Sequence, residues 1–146
     1  MSKMKIKSYV NVYWKLLDMN KNVTQEGSVH NTVVDDGLEQ LEKLANGVSA
    51  DYFDDIAIGT DNTAVQTTDS ALGSQLDKQL ATLTHTSNKA QWVYTFSFAS
   101  GVSETVQEVG VFNGASVMMN RALTGALAVD STKTLEVTIT LNITRP

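Results

Sequence analysis

Apolar and polar residues alternate along the first stretch of the chain. Ile6, Ser8, Val10, Val12, Trp14 and Leu16 fall on one face, and Lys5, Lys7, Tyr9, Asn11, Tyr13 and Lys15 on the other. A period of two built from β-branched and aromatic residues predicts a strand over 5–17. The polar run Asp18-Met19-Asn20-Lys21-Asn22 reads as a turn, and a second strand follows over 23–34, irregular around Gly27. At 36–46 the period changes. Leu38, Leu41, Leu44 and Ala45 recur at helical spacing and make one apolar stripe. Asp36 is placed to cap the start, with Glu39 three residues on as in a capping box. Lys43 in the last turn and Gly47 beyond it mark the end.

Phe53 to Ile58 reads as a short buried strand that ends in Gly59-Thr60-Asp61-Asn62, the start of a polar loop running to about Ser70. Leu72, Leu76 and Leu80 have helical spacing, which predicts a turn of helix before a strand beginning near Leu80. Residues 91–99 form the cleanest alternation, with Trp92, Tyr94, Phe96 and Phe98 on one face. Val106 to Phe112 is a further strand. It is closed by the tight-turn dipeptide Asn113-Gly114 and followed by a hairpin partner over 116–123. Finally Leu135, Val137, Ile139, Leu141 and Ile143 alternate with Glu136, Thr138, Thr140, Asn142 and Thr144. About eight strands with one helix, and strands at both ends of the chain, argue against a parallel βαβ fold. The expectation is a mainly β, antiparallel β-sandwich or jelly-roll-like domain spanning 1–146, with one α-helix at about 36–46.

Composition narrows the chemistry. Charged residues make up 18% of the 146-residue chain, below the roughly 25% of ordinary soluble domains; Thr, Ser, Asn and Gln take their place. The net charge is -5, and the Lys and Arg residues are scattered apart from Lys3, Lys5 and Lys7, so no nucleic-acid partner is expected. Without cysteine there is no disulfide framework, thiolate metal site or cysteine nucleophile. No signal peptide is visible, and the apolar run from Val10 to Leu17 is too short to span a bilayer. No membrane partner is expected, and synthesis in a cytoplasm is.

Candidate catalytic residues are sparse. His30 and His85 are far apart, and neither has a metal-ligand partner at i+2 to i+4. The acidic residues Asp35, Asp36, Asp51, Asp54, Asp55, Asp61 and Asp69 suit caps and turns. Oxygen ligation of Ca2+ near Asp51–Asp61 is conceivable, but the spacing is not that of an EF-hand loop. Phosphate-loop, nucleophile-elbow and metalloprotease motifs are missing. The aromatic row from Trp92 to Phe98 could stack bases or sugars, but in an acidic, strictly alternating strand it reads as core. The expectation is a non-enzyme with no catalytic residue, cofactor or metal.

Three segments, in order, resemble a pattern found in structural proteins of tailed-bacteriophage virions. The first is Asn31-Thr32-Val33-Val34-Asp35-Asp36-Gly37-Leu38. The second is Ile56-Ala57-Ile58-Gly59-Thr60-Asp61-Asn62-Thr63 followed by Thr68-Asp69-Ser70-Ala71-Leu72. The third is Glu108-Val109-Gly110-Val111-Phe112-Asn113 followed by Met118 to Leu123, with Arg121, and a terminal strand. The layout is similar to that of tail-fibre and tail-collar-like proteins and of small capsid-decoration (cement) proteins.

The resemblance implies an accessory virion protein made in the bacterial host cytoplasm. A trimeric capsid-decoration protein that binds the major capsid protein and stabilises its lattice is favoured, because the chain is one module without a fibrous shaft. The alternatives are a tail-fibre or baseplate component bound to tail proteins, and a carbohydrate- or receptor-binding module that would use residues such as Tyr13, Tyr52 and Asp61. Ser2, Lys3, Lys5, Lys7 and Tyr9 are the candidate capsid-contacting arm, being basic and terminal on an acidic body; the plain reading of the same residues is an edge strand.

Overall fold

Alternation along the chain becomes two stacked sheets. The computed structural model describes residues 7–144. They form β1 (Lys7–Leu17), β2 (Val23–Asn31), α1 (Asp35–Ala45), β3 (Phe53–Gly59), β4 (Gln75–Leu80), β5 (Thr82–Thr86), β6 (Lys89–Ser97), β7 (Ser103–Asn113), β8 (Met118–Asp130) and β9 (Thr134–Thr144). One sheet has the order β2-β1-β9-β6-β5 and the other β4-β3-β7-β8. Every pairing is antiparallel. This is the expected mainly β sandwich with a single helix.

The inward faces match the period-two reading. Val10, Val12, Trp14 and Leu16 of β1 pack with Leu135, Val137, Ile139 and Leu141 of β9 and with Trp92 and Phe96 of β6. Ile56, Ile58, Val106, Val109, Val111 and Met119 face them from the second sheet. Each large apolar side chain withdrawn from water contributes about 1.5–3 kcal/mol, so this shared layer is what holds the sheets together. The aromatic row belongs to it. Trp92 and Phe96 are buried, Tyr94 and Phe98 are half-buried, and the Trp92 indole N–H donates to the Phe53 carbonyl at 2.8 Å.

The four-stranded sheet is buried on both faces, so its central strands lose simple alternation. Val34, Ala57, Leu72, Phe112 and Met118 form a second apolar cluster. The register of β7 shifts between Val106 and Glu108, and beyond that bulge Val109 and Val111 stay in the main core while Phe112 joins the second cluster.

Four expectations need correction. Residues 71–80 contain no helix. Gln75–Leu80 is strand β4, because the edge of β3 offers a ladder; Leu72 enters the second cluster, and Leu80 is 70% exposed. The helix starts at Asp35, with Val34 as an extended N-cap that makes no side-chain cap bond. Asp35 and Asp36 therefore lie in the first turn, where their charge complements the helix dipole, and the Asp35 amide donates to the Thr67 carbonyl. The buried residues of the helix are Gly37 and Gln40, with Leu41 and Leu44 packed beside them, while Leu38 is 42% exposed. The apolar stripe is rotated because Gly37 lets the helix approach the backbone of Met119. Lastly, Asn113-Gly114 opens a longer loop rather than a two-residue turn. Ser116 takes the left-handed conformation, and the Asn113 side-chain oxygen accepts the amides of Ala115 and Val117.

Strands β4 and β5 are separated only by Ala81, whose amide donates to Asp54. A single stretch of chain thus leaves one sheet and joins the other.

Candidate interaction surfaces and the latch beneath them

The segment from Thr60 to Ser74 covers the outer face of the four-stranded sheet, and two buried charges hold it there. Glu108 of β7 and Arg121 of β8 are 0% and 2% exposed. The Arg121 Nε donates to Glu108 Oε1 at 2.8 Å. Glu108 Oε1 also accepts the Gly73 amide at 2.8 Å, and Oε2 accepts the amides of Ser74 at 2.8 Å and Asp61 at 3.0 Å. The Arg121 guanidinium donates onward to the Thr63 carbonyl at 2.9 Å and to the carboxylates of Asp69 and Asp61, both at 3.3 Å. The pair is thus paired and multiply hydrogen-bonded, the condition under which buried charge is tolerated.

Burial by itself would raise the Glu108 pKa. The hydrogen bonds from Arg121 and from the amides of Ser74, Gly73 and Asp61 outweigh it, so the carboxylate titrates below its ordinary value. Burial would likewise lower Arg121, but the bonds to Glu108 and Asp69 raise it. Gly59 is required beside this latch, since a Cβ there would lie 2.5 Å from Glu108 Oε2 and from the Ser74 carbonyl.

The residues named in the three resemblance segments converge here. Val34 comes from the first; Ala57, Asp61, Thr63, Asp69 and Leu72 come from the second; Glu108, Phe112, Met118 and Arg121 come from the third. Together they make the latch and the second apolar cluster. Residue reading missed the pair as a unit. The signal was one acid inside the apolar run from Val106 to Phe112 and one base inside its hairpin partner.

The outer face of the five-stranded sheet carries an uncharged belt across its middle, with Lys7 and Lys89 toward one end and Lys15, Glu26 and Glu136 toward the other. Across it run Tyr13, Thr138 and Val93 in one row and Asn11, Thr140 and Gln91 in the next. Tyr9 stacks on His30 with ring centroids 4.7 Å apart, His30 Nδ1 lies 2.9 Å from Asn11 Oδ1, and the Tyr13 hydroxyl donates to Glu26 at 2.8 Å. That bond to Glu26 raises the Tyr13 pKa. At one end of the sheet, an apolar groove of about 410 Å³ lies between α1 and the strands, lined by Ser8, Leu38, Leu41, Glu42, Ala45 and Ile143.

Of the arm residues, Ser2, Lys3 and Lys5 lie outside the described residues. Lys7 is exposed and Tyr9 half-buried, both on β1. β1 is not an edge strand. It lies between β2 and β9, although Lys7–Tyr9 extend past the end of β2 and pair with β9 alone. The reason is that β2 ends at Asn31, where the chain turns toward the helix.

His30 on β2 and His85 on β5 sit on opposite edges of one sheet. Among the described residues, no group of three or more His, Cys, Asp or Glu side chains is placed to hold a metal. Tyr13 lies on the five-stranded sheet and Asp61 in the loop over the outer face of the four-stranded sheet, so the glycan constellation of Tyr13, Tyr52 and Asp61 does not assemble. No helix among the described residues is long and apolar enough to cross a membrane. Compared with family models, curated proteins and solved structures, the chain matches none of them.

Proposed function

We propose that this chain is a non-enzymatic accessory structural protein of a tailed-phage virion, a capsid-decoration protein that assembles as a homotrimer on the capsid lattice. The observation that carries this reading is the convergence of the three phage-like segments on one structural unit, the Glu108–Arg121 latch and its apolar companion. A pattern whose parts are spread from Val34 to Arg121 gains a common purpose when those parts meet in space.

Two further features support it. The latch pins a long polar loop against the sheet, which suits a rigid scaffold surface. The uncharged belt of Thr, Asn, Gln and Tyr across the middle of the other sheet offers docking area that like charge does not repel, although the chain carries -5 overall. In this reading the basic residues Lys3, Lys5 and Lys7 approach the capsid, and lattice multiplicity turns weak single contacts into firm attachment.

The test mixes purified protein with undecorated capsids and follows co-sedimentation and capsid heat resistance. Binding with raised heat resistance supports the proposal. Failure to bind capsids, together with binding to isolated tails, replaces it with the tail-component reading. Deleting residues 2–5 is expected to weaken attachment while leaving the oligomer intact.

A further inference from the structure

The sandwich has four edge strands, β2, β5, β4 and β8. Three of them carry the devices that keep sheet edges from pairing with other chains, namely bulges and charges. β2 has a register shift against β1 and carries Glu26. β4 has a shift against β3 and carries Asp77 and Lys78. β8 has two shifts against β7, ends on Asp130, and is covered on its outer edge by the segment after β2, where the Val34 amide donates to the Met119 carbonyl and the Asn31 side-chain amide to the Arg121 carbonyl.

The edge strand β5 has neither. Its sequence is Thr-Leu-Thr-His-Thr, all five residues are exposed, and it pairs with β6 in unbroken register from Thr82↔Val93 to Thr86↔Lys89. It holds no Lys, Asp, Glu, Pro or Gly, and Leu83 is 45% exposed. Among the described residues, one side of its backbone has no ladder partner in the sheet.

We propose that β5 is an association edge, and that its occupant is β5 of a second copy, added antiparallel about a two-fold axis through Thr84. The strand is self-complementary in that register. Thr82 faces Thr86 of the partner copy, Thr84 faces Thr84, and Leu83 faces His85. Cross-strand Thr pairs are favourable, and neutrality lets two chains of net charge -5 meet at this line without like-charge contact. The main-chain bonds supply affinity as in other strand additions, and the contact is isologous, as a two-fold requires. A five-residue edge is small, so the pairing is weak in solution and gains strength where copies are held side by side. This contact is separate from the trimer proposed above; it joins copies across a two-fold and stands or falls independently of capsid binding.

The experiment is sedimentation equilibrium over a concentration series reaching the ~10–100 µM range in which weak interfaces associate. It compares wild type, Thr84→Lys, Thr84→Glu and an equal mixture of the two variants. Wild type is expected to reach twice the limiting mass of either variant, because both variants place like charges opposite each other on the axis. The mixture is expected to regain the wild-type mass, because Lys then faces Glu. Circular dichroism of each variant confirms an unchanged fold. Equal masses for wild type and Thr84→Lys would overturn the edge contact, and a mixture that stays at the variant mass would overturn the two-fold register.

Discussion

Replacing Glu108 with Gln tests the latch with a change of one atom. The carboxylate accepts four hydrogen bonds, two on each oxygen, from Arg121 Nε, Gly73, Ser74 and Asp61. An amide has one acceptor oxygen, so two donors lose their partner and face an N–H₂ group instead. Each stranded buried donor costs about 1–3 kcal/mol. Arg121, 2% exposed, also loses its nearest counter-charge, and breaking a buried pair costs about 3–5 kcal/mol in comparable cases. The two routes agree on roughly 3–5 kcal/mol, a large fraction of the ~5–15 kcal/mol that stabilises a typical domain. At about 2–4 °C per kcal/mol for a chain near this size, Tm is expected to fall by roughly 10–15 °C. Urea unfolding gives the free energy, and amide exchange shows where the loss lies, with protection falling first across residues 60–74. A loss below about 1 kcal/mol, or unchanged exchange in that loop, would refute the idea that this pair holds the loop down.

The same carboxylate sets an acid limit. Its folded pKa lies below the ordinary value of 4.5, so its contribution is complete above that value and is lost as pH falls through the folded one. Wild type is expected to lose stability on acidification below pH 4.5 more steeply than Glu108→Gln, as measured by urea midpoints along a pH series. Gly37→Ala is expected to destabilise by about 1–2 kcal/mol despite the ~1 kcal/mol that helix propensity favours. The new Cβ would lie 2.7 Å from the Met119 carbonyl oxygen and 2.8 Å from its Cα, and a stabilised variant in urea unfolding would contradict this. Asn113→Ala removes the acceptor for the amides of Ala115 and Val117 and should cost about 1–3 kcal/mol in thermal unfolding.

Legibility in the sequence followed the local environment. β1, β6 and β9 each bury one face, so their alternation is plain in the residues. β3 and the end of β7 are covered on both sides, and period two fades there. The stretch 71–80 departs from its helical spacing because its three leucines serve three different surroundings: Leu72, at the end of the loop, packs into the second apolar cluster, Leu76 of β4 lies against the main core and Leu80 of β4 in solvent. The helix was found, but Asp36 was mistaken for its cap because the orphan amide of Asp35 is satisfied by Thr67, far along the chain. The latch was hidden for the same reason. Its partners are separated by 13 to 60 residues, and only the fold brings them together. Lys7 and Tyr9 are placed on β1, in the alternation that the residues show.

The terminal strand β9 lies at the middle of the five-stranded sheet, with β1 on one side and β6 on the other. The last strand in chain order therefore bridges hairpins that precede it, and β1 pairs with it across a very long sequence separation. Such long-range closure makes for slow folding. Without the strand that begins at Thr134, the β1–β2 and β5–β6 hairpins would have no bridge between them, and their apolar faces would stay exposed until β9 joined them.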